Sequence, residues 1–274
     1  MVSNRVGSIV GESRPAVDAA TVMVVRDHPQ GLQVLLQERH VETDFVGGAL
    51  VFPGGRVEQA DRDLSDTLRS GGDLAHIAAI FGTDARGALG LLVGAARESF
   101  EEAGLLLAGD AEGPVAADVL MAPDVVAARA ALAARGPGGD LAGLLHARGL
   151  RLDLDALHPF AWWVTPDGMH RRYDTRFFVA VAPEGQRDTA TSDQVETVSA
   201  RWLRPEAALA DGEAGRFMII FPTRKVLGEL AQHGTVAELL AALPGRTIPR
   251  LQPTLVLVDD IPMVQLPGME PEFA

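Results

Sequence analysis

Four charged residues interrupt an otherwise apolar stretch of the chain, AARESFEEAGLLL at residues 95–107. Glu98, Glu101 and Glu102 are spaced i, i+3 and i+4, so a helix would place all three carboxylates on one face. Like charges in this arrangement repel one another, and the repulsion grows as the face becomes buried. The spacing therefore indicates that positive charge lies beside the three glutamates.

The sequence offers two sources of that positive charge. Arg97 can pair with Glu101 one helical turn away, but a single guanidinium leaves about two negative charges without a partner. The remaining charge suits a hard divalent cation with oxygen ligands, such as Mg²⁺ or Mn²⁺. The alternative is a solvated acidic stripe, which is the commoner origin of an isolated ExxEE pattern.

A double glycine lies upstream, in FPGGRVE at residues 52–58. Adjacent glycines allow the chain to turn sharply and let a backbone carbonyl approach a metal or a phosphate closely. Taken alone, this pair predicts only a turn after a strand. The pair becomes informative in combination with the predicted glutamate helix that follows it in the sequence.

Together, FPGGRVE and RESFEEAGL resemble the signature of the Nudix hydrolases, which use divalent cations to cleave nucleoside diphosphates linked to another group. The signature is interrupted in this chain. Arg69 lies at the family's usual distance from Gly55, but no glutamates follow it. Arg97 lies 42 positions after Gly55 and 28 after Arg69. The family's glutamate six positions after its glycine corresponds to Asp61.

Several other phrases narrow the resemblance. The interrupted signature, together with GGALVFPGG, WWVTP and RRYDTRFFVA, is similar to the peroxisomal-type coenzyme A diphosphatases and their bacterial relatives. A neighbouring coenzyme A-cleaving group has a second basic residue where this chain has Asp44. The substrate thus stays open between coenzyme A or its acyl derivatives and ADP-ribose, NADH or a dinucleoside polyphosphate.

The resemblance implies attack of water on a pyrophosphate, assisted by Mg²⁺ or Mn²⁺. Arg97 would orient the glutamates, and Glu196, in SDQVETVSARW before a predicted strand, is a candidate general base or further ligand. A surface-loop carboxylate is the equal alternative for Glu196. The implied catalytic residues are Arg97, Glu98, Glu101, Glu102 and Glu196, and the implied metal ligands are Glu98, Glu101, Glu102 and the carbonyl of Gly54 or Gly55.

Three arginines are candidate substrate-binding residues. Arg39 matches a position of the coenzyme A phrase, and Arg171 and Arg172 precede the strand YDTRFF. Such a pair also commonly flanks an exposed strand, which is the alternative. Glu58 is predicted to be structural, paired with Arg56 or Arg97.

The composition restricts the partners. The net charge of −13, from 37 acidic and 24 basic side chains, argues against broad binding to nucleic acid or an anionic membrane. The chain has no cysteine, which excludes disulfides and thiolate chemistry. No apolar run approaches the roughly 20 residues that span a bilayer. We expect a cytoplasmic protein that binds a small nucleoside diphosphate conjugate, and the sequence leaves a homodimer open.

The order of the predicted strands and helices indicates an α+β fold. The resemblance implies that this is a Nudix fold, in which a mixed β-sheet lies between helices. Residues 16–25 and 32–38 predict a hairpin, residues 64–146 are mainly helical, and strand patterns return after residue 160. We predict a Nudix domain over residues 16–260, with insertions at about 62–94 and 110–158. Residues 1–15 form an N-terminal extension, and the Pro-rich residues 261–274 form an irregular tail.

A different functional class shares this fold. A ligand sensor could keep the Nudix architecture without turnover, because a fold alone does not determine a function. The retained arginine and the three glutamates favour the enzyme, since a sensor has no evident need for the full metal-binding set. The interruption and the aspartate at position 61 are the features that keep the sensor as an alternative.

Overall fold

The computed structural model describes residues 6–8, 14–40, 47–135 and 139–273. The strands are β1 (Val6–Ser8), β2 (Val17–His28), β3 (Gly31–Arg39), β4 (Leu50–Val51), β5 (Gly54–Arg56), β6 (Arg69–Ser70), β7 (Ala108–Asp110), β8 (Gly113–Pro114), β9 (Arg151–Asp153), β10 (His158–Val164), β11 (Tyr173–Val181), β12 (Thr197–Leu203), β13 (Arg250–Leu251), β14 (Thr254–Val258) and β15 (Ile261–Gln265). The helices are α1 (Gln59–Arg62), α2 (Leu74–Phe81), α3 (Ala85–Ala103), α4 (Ala117–Leu120), α5 (Pro123–Ala133), α6 (Leu141–Arg148), α7 (Pro205–Glu213), α8 (Phe221–Leu230) and α9 (Val236–Ala241).

The central sheet is mixed. Its strand order is β12-β3-β2-β11-β10-β13, with β4 paired to β3 and β5 paired to β2. Strands β2 and β11 are parallel, whereas β2 and β3 form the predicted antiparallel hairpin. Side chains alternate along β2, so Val22 and Val24 pack with α3 while Met23 and Val25 pack with α8 and α9. The sheet therefore lies between two helical layers, as expected.

Helix α3 carries the three glutamates. Its N-cap is Asp84, whose side chain accepts a hydrogen bond from the Gly87 N–H, and its C-cap is Gly104, which has a φ of 71°. Every residue from Gly87 to Ala103 is buried. Residues 85–94, which we predicted to belong to the first insertion, are thus the first half of α3, because the chain is buried from Gly87 onward and side chains such as Leu91 and Val93 pack into the core.

The excursion inside the signature, here the first insertion, covers residues 63–84. It contains a 3₁₀ turn, β6 and α2, which packs against α3. Residues 110–158, the segment predicted as a second insertion and called by that name below, contain α4, α5 and α6. A small sheet of order β6-β9-β7-β8 joins the two insertions, with β6 parallel to β9.

The predicted irregular tail is wrong for residues 261–265, which form β15. Asp259 and Asp260 have φ values of 50° and 66°, the geometry of a tight hairpin turn, and they connect β14 to β15. Val264 is buried against the core, which holds the strand in place despite Pro262. Strand β1 pairs with β14, and the rest of residues 1–13 lies outside the described residues.

No single helix in the described part of the chain is long and apolar enough to cross a bilayer. Helices α2 and α3 meet the length and composition criteria only as a pair, and they are bent by 96° relative to each other.

Candidate active site

Two of the three carboxylates of α3, those of Glu98 and Glu102, lie against the double glycine of β5. The Gly54 N–H donates a hydrogen bond to Glu102 Oε2 at 2.9 Å. A Cβ atom at position 55 would lie only 2.4 Å from Glu98 Oε1, so any other residue here would displace the Glu98 carboxylate. Glu98, Glu101 and Glu102 are 5%, 7% and 3% exposed, which rules out a solvated acidic stripe. The predicted proximity of Gly55 and Glu98 is confirmed.

Arg97 connects the two halves of the interrupted signature. Its Nε lies 2.9 Å from Asp61 Oδ1 and its Nη2 lies 3.1 Å from Asp61 Oδ2, a two-point contact across 36 residues of chain. Its Nη1 lies 2.8 Å from Glu101 Oε2 and 2.9 Å from Glu98 Oε1. Asp61 therefore holds the guanidinium that in turn holds two of the glutamates.

Two neighbouring residues have other roles. Glu58 is exposed, and its backbone N–H donates to Asp61 Oδ2 at the start of α1. Among the described residues the carboxylates paired with Arg97 are those of Asp61, Glu98 and Glu101, and no ion pair joins Glu58 to Arg56, so the predicted pairing of Glu58 with Arg56 or Arg97 is wrong. Arg69 pairs with Asp66 and donates to the Gly71 carbonyl. It does not occupy the position of Arg97, which supports the alignment through the interruption.

Burial controls the electrostatics of this cluster. It raises the pKa of Glu98 to about 8 despite the nearby guanidinium of Arg97. Burial also raises the pKa of Glu101 and Glu102, and the Glu98 charge raises that of Glu102 further. Burial alone would lower the pKa of Arg97, but the adjacent carboxylates raise it instead, so this guanidinium stays charged.

Glu196 lies between two arginines at the edge of the cluster. Its Oε2 is 3.3 Å from Arg39 Nη2 and its Oε1 is 3.0 Å from Arg135 Nη2. The charge of Glu196 raises the pKa of Glu101 and Glu102, so it lies near the buried carboxylates. The structure thus brings Arg39 and Glu196 to the site, while their predicted roles stay predictions.

Arg171 and Arg172 line the same cavity as the double glycine but differ in environment. Arg171 is exposed, whereas Arg172 is buried and its guanidinium donates to the carbonyls of Thr165 and Pro166 and pairs with Asp167. These contacts hold the Arg172 side chain in place, while the predicted phosphate contacts of Arg171 and Arg172 stay predictions. Asp44, which weakened the coenzyme A phrase, lies outside the described residues.

The donor set of the site matches a hard divalent cation. Glu98, Glu101, Glu102 and Asp61 supply only oxygen atoms, and Arg97 is the guanidinium buried among them. In the described structure no three acidic or imidazole side chains converge as a ready-made metal cluster. The reason is visible in the contacts, because two of the glutamates turn toward Arg97 and Glu102 turns toward the Gly54 N–H.

A cavity of about 920 Å³ opens over the double glycine. Charged residues line part of it, including Arg39, Arg135 and Glu196. Aromatic and aliphatic side chains line another part, namely Phe52, Trp163, Phe177, Met218, Phe221 and Leu255. Such a mixture of apolar wall and few charged groups is typical of a small-molecule site.

The sequence did not identify two arginines near the site, Arg129 in α5 and Arg135 just after this helix. Arg129 donates to the carbonyl oxygens of Glu101 and Glu102, at 3.0 and 2.8 Å, and Arg135 reaches Glu196. Both lie in an Ala-rich helical tract, PDVVAARAALAARG, that carries no motif. No signal in the sequence separates these arginines from ordinary surface residues.

The architecture agrees with a solved relative. A NUDIX hydrolase from Alicyclobacillus acidocaldarius superposes with a TM-score of 0.67 and 26% identity, covering 86% of this chain and 99% of that one. The mixed sheet between helices, with its double glycine packed against an RExxEE helix, defines a Nudix hydrolase. The predicted fold class is confirmed.

The family within that class follows from two further matches. The NUDT19 Nudix domain family matches residues 78–223. Human acyl-coenzyme A diphosphatase NUDT19 is 30% identical over 97% of this chain and 79% of its own length. Putative nudix hydrolase 7 of Caenorhabditis elegans is 25% identical over 79% of this chain and 64% of its own length. The chain belongs to the NUDT19 Nudix domain family and is a Nudix-type pyrophosphohydrolase.

Proposed function

We propose that this protein is a diphosphatase that depends on Mg²⁺ or Mn²⁺ and cleaves the pyrophosphate of coenzyme A or an acyl derivative. The observation that carries the proposal is the set of three buried carboxylates on α3, two of which lie against Gly54 and Gly55, the glycines that line the cavity. Similarity to the human protein named acyl-coenzyme A diphosphatase supports the substrate class.

Glu98, Glu101 and Glu102 would hold the cation, because their burial leaves negative charge that one guanidinium does not offset. When bound, such a cation neutralises charge on phosphate oxygens and makes a coordinated water more acidic. Arg97 keeps two of these carboxylates in place and is itself held by Asp61. The Gly54 N–H fixes the third, Glu102.

Glu196 would accept the proton of the attacking water. Its carboxylate is partly exposed at the cavity, and Arg39 and Arg135 hold it from either side. A general base must lie within reach of the water it deprotonates, and among the residues that the structure describes Glu196 is the acidic one that lines the cavity.

The lining of the cavity supports a substrate with an apolar part. Phe52 packs edge-on against Phe177, and Trp163 packs edge-on against Phe221, so the wall beside the double glycine is largely aromatic. Trp162 instead packs against Phe81 in the core. A wall of this kind suits the uncharged arm of a coenzyme A thioester beyond the pyrophosphate.

The proposal is tested by a substrate screen combined with the variant Glu102→Gln. Coenzyme A, an acyl-coenzyme A, ADP-ribose, NADH and a diadenosine polyphosphate are supplied with Mg²⁺ or Mn²⁺. We expect the coenzyme A compounds to be cleaved fastest, and Glu102→Gln to be at least about tenfold slower on the best of them.

The variant should unfold at or above the wild-type temperature in EDTA, because it removes a buried charge without removing volume. Equal turnover by the two proteins would remove Glu102 from the mechanism. Faster cleavage of ADP-ribose than of any coenzyme A compound would overturn the proposed substrate class.

A further inference from the structure

The second insertion reaches the candidate active site at the end of α5. Arg135 follows this helix, and its Nη2 lies 3.0 Å from Glu196 Oε1. Its side chain is 51% exposed and lines the same cavity as Gly54 and Gly55. A guanidinium that is accessible from the cavity can contact a bound molecule directly.

The segment that carries Arg135 is firmly attached to the site. Arg129, in the same helix, donates to the carbonyl oxygens of Glu101 and Glu102 at the end of α3. It also donates to Thr191 Oγ1 and to the Thr191 carbonyl, at 2.8 and 2.7 Å. Thr191 belongs to the loop that leads to Glu196, so α5 is tied both to the glutamate helix and to this loop.

The backbone at Arg135 has a φ of 50°, in the left-handed region. This conformation is unfavourable for a residue with a long side chain, and glycine or asparagine commonly occupies it after a helix. Such outliers concentrate at functional sites, where the surrounding structure maintains them. The outlier here places a guanidinium at the cavity, where a glycine would have been the easier choice.

Positive side chains outnumber negative ones in the ion pairs at Glu196. Two guanidinium groups, from Arg39 and Arg135, share this one carboxylate. The Nε of Arg39 is buried and has no hydrogen-bond acceptor among the described residues. A pyrophosphate has more oxygen acceptors and more negative charge than a carboxylate, so it would be the better partner for the two arginines.

We propose that Arg135, supplied by the second insertion, is a phosphate-binding residue that contacts the pyrophosphate of the substrate together with Arg39. Glu196 occupies the two arginines until the substrate binds. When the phosphate oxygens replace it there, the Glu196 carboxylate becomes available to the attacking water. The proposal rests on the proposed diphosphatase function, which it extends to a residue outside the Nudix signature.

The test compares Arg135→Asn with wild type, because asparagine tolerates the left-handed backbone but lacks the charge. Steady-state kinetics with the best substrate of the screen give KM and kcat. Isothermal titration with inorganic pyrophosphate and Mg²⁺ gives a dissociation constant that does not depend on turnover. We expect KM and this constant to rise at least tenfold, while the unfolding temperature does not fall.

Two further variants serve as controls. Arg148→Gln removes the same charge from the same insertion, at an exposed pair with Asp124 away from the cavity, and should leave both constants within twofold of wild type. Arg135→Lys keeps the charge and should recover part of the affinity. Unchanged pyrophosphate affinity in Arg135→Asn, or an equal loss in Arg148→Gln, would overturn the proposal.

The two proposals fail in distinguishable ways. Should the wild type cleave none of the screened compounds, the diphosphatase function is wrong. The pyrophosphate titrations still decide whether Arg135 binds phosphate.

Discussion

The two insertions contact opposite ends of α3, and they contribute different kinds of side chain to it. The first, residues 63–84, places α2 beside the start of α3 and adds apolar side chains such as Ile77 and Phe81 to the core. The second, residues 110–158, meets the end of α3, where Arg129 binds the carbonyls of Glu101 and Glu102.

The insertion that interrupts the signature is the one that stays out of the cavity. No residue in 63–84, all of which the structure describes, lines it, whereas Arg135 of the second insertion does. The interruption is tolerated because Asp61 and Arg97, on either side of it, meet in a buried ion pair. Closeness to a motif in sequence thus does not predict closeness to the site.

The largest expected effect comes from breaking the contact that closes the interruption. Asp61→Ala leaves Arg97 buried without its two-point partner. Loss of one member of a buried ion pair costs about 3–5 kcal/mol, and we expect the lower end because Glu98 and Glu101 still face the guanidinium. Chemical denaturation measures the change in the free energy of unfolding.

Asp63→Ala is the matched control for this variant. Asp63 lies two residues further on and pairs with Arg86 at the surface, so its removal should not measurably change stability. Equal stability of Asp61→Ala and wild type would show that the first insertion, and not the Asp61–Arg97 pair, keeps the two halves of the signature together.

A smaller effect, on kcat, should distinguish the second insertion from the first. Arg129→Gln removes the guanidinium that holds the end of α3, and Arg69→Gln removes an arginine of the first insertion with a comparable set of local contacts. We expect kcat to fall about tenfold in the first variant, equivalent to about 1.4 kcal/mol, and to stay within twofold of wild type in the second.

The concentration of Mn²⁺ that gives half-maximal activity distinguishes positioning from general destabilisation. It should rise at least threefold in Arg129→Gln, because the carbonyls of two carboxylate residues lose their anchor. Arg129→Lys should restore only part of the difference, since an ammonium lacks the planar set of donors. A wild-type Mn²⁺ requirement in Arg129→Gln would mean that α5 has no influence on the glutamates.

The smallest expected effect is a pH dependence of the protein's stability, caused by the buried glutamates of α3, the helix that both insertions contact. Burial raises the pKa of Glu98 from 4.5 to about 8, so the folded state binds a proton that the unfolded state has released. The stability linked to this group is complete below about pH 4.5 and is lost as the pH rises to about 8. In EDTA we expect the unfolding temperature to fall by at least about 3 °C between pH 5.5 and 8.5.

Glu98→Gln should reduce this dependence, because an amide does not titrate, while the raised pKa values of Glu101 and Glu102 maintain the remainder. Mg²⁺ should also reduce the fall in the wild type if the carboxylates bind it. An unfolding temperature that rises over the same pH range would show that these carboxylates are not held in a desolvated state.

The sequence alone determined the local features of the site. The i, i+3, i+4 spacing of the glutamates places them on one helical face because the α-helix has a fixed period. The double glycine marks the point of closest backbone approach, since a Cβ there would collide with Glu98. The resemblance built on these two segments also led to the correct fold class and family. Such features depend on short stretches of chain, so they can be read without knowing the tertiary structure.

Only the tertiary structure decided which distant residues meet. It paired Arg97 with Asp61, buried the guanidinium of Arg172, and brought Arg129 and Arg135 from an Ala-rich helix to the glutamates. It also made residues 261–265 a strand through pairing with β14. The physical reason is common to all of these contacts: an arginine or a short apolar segment has the same local propensity wherever it lies, and its role is set by the groups that folding places around it.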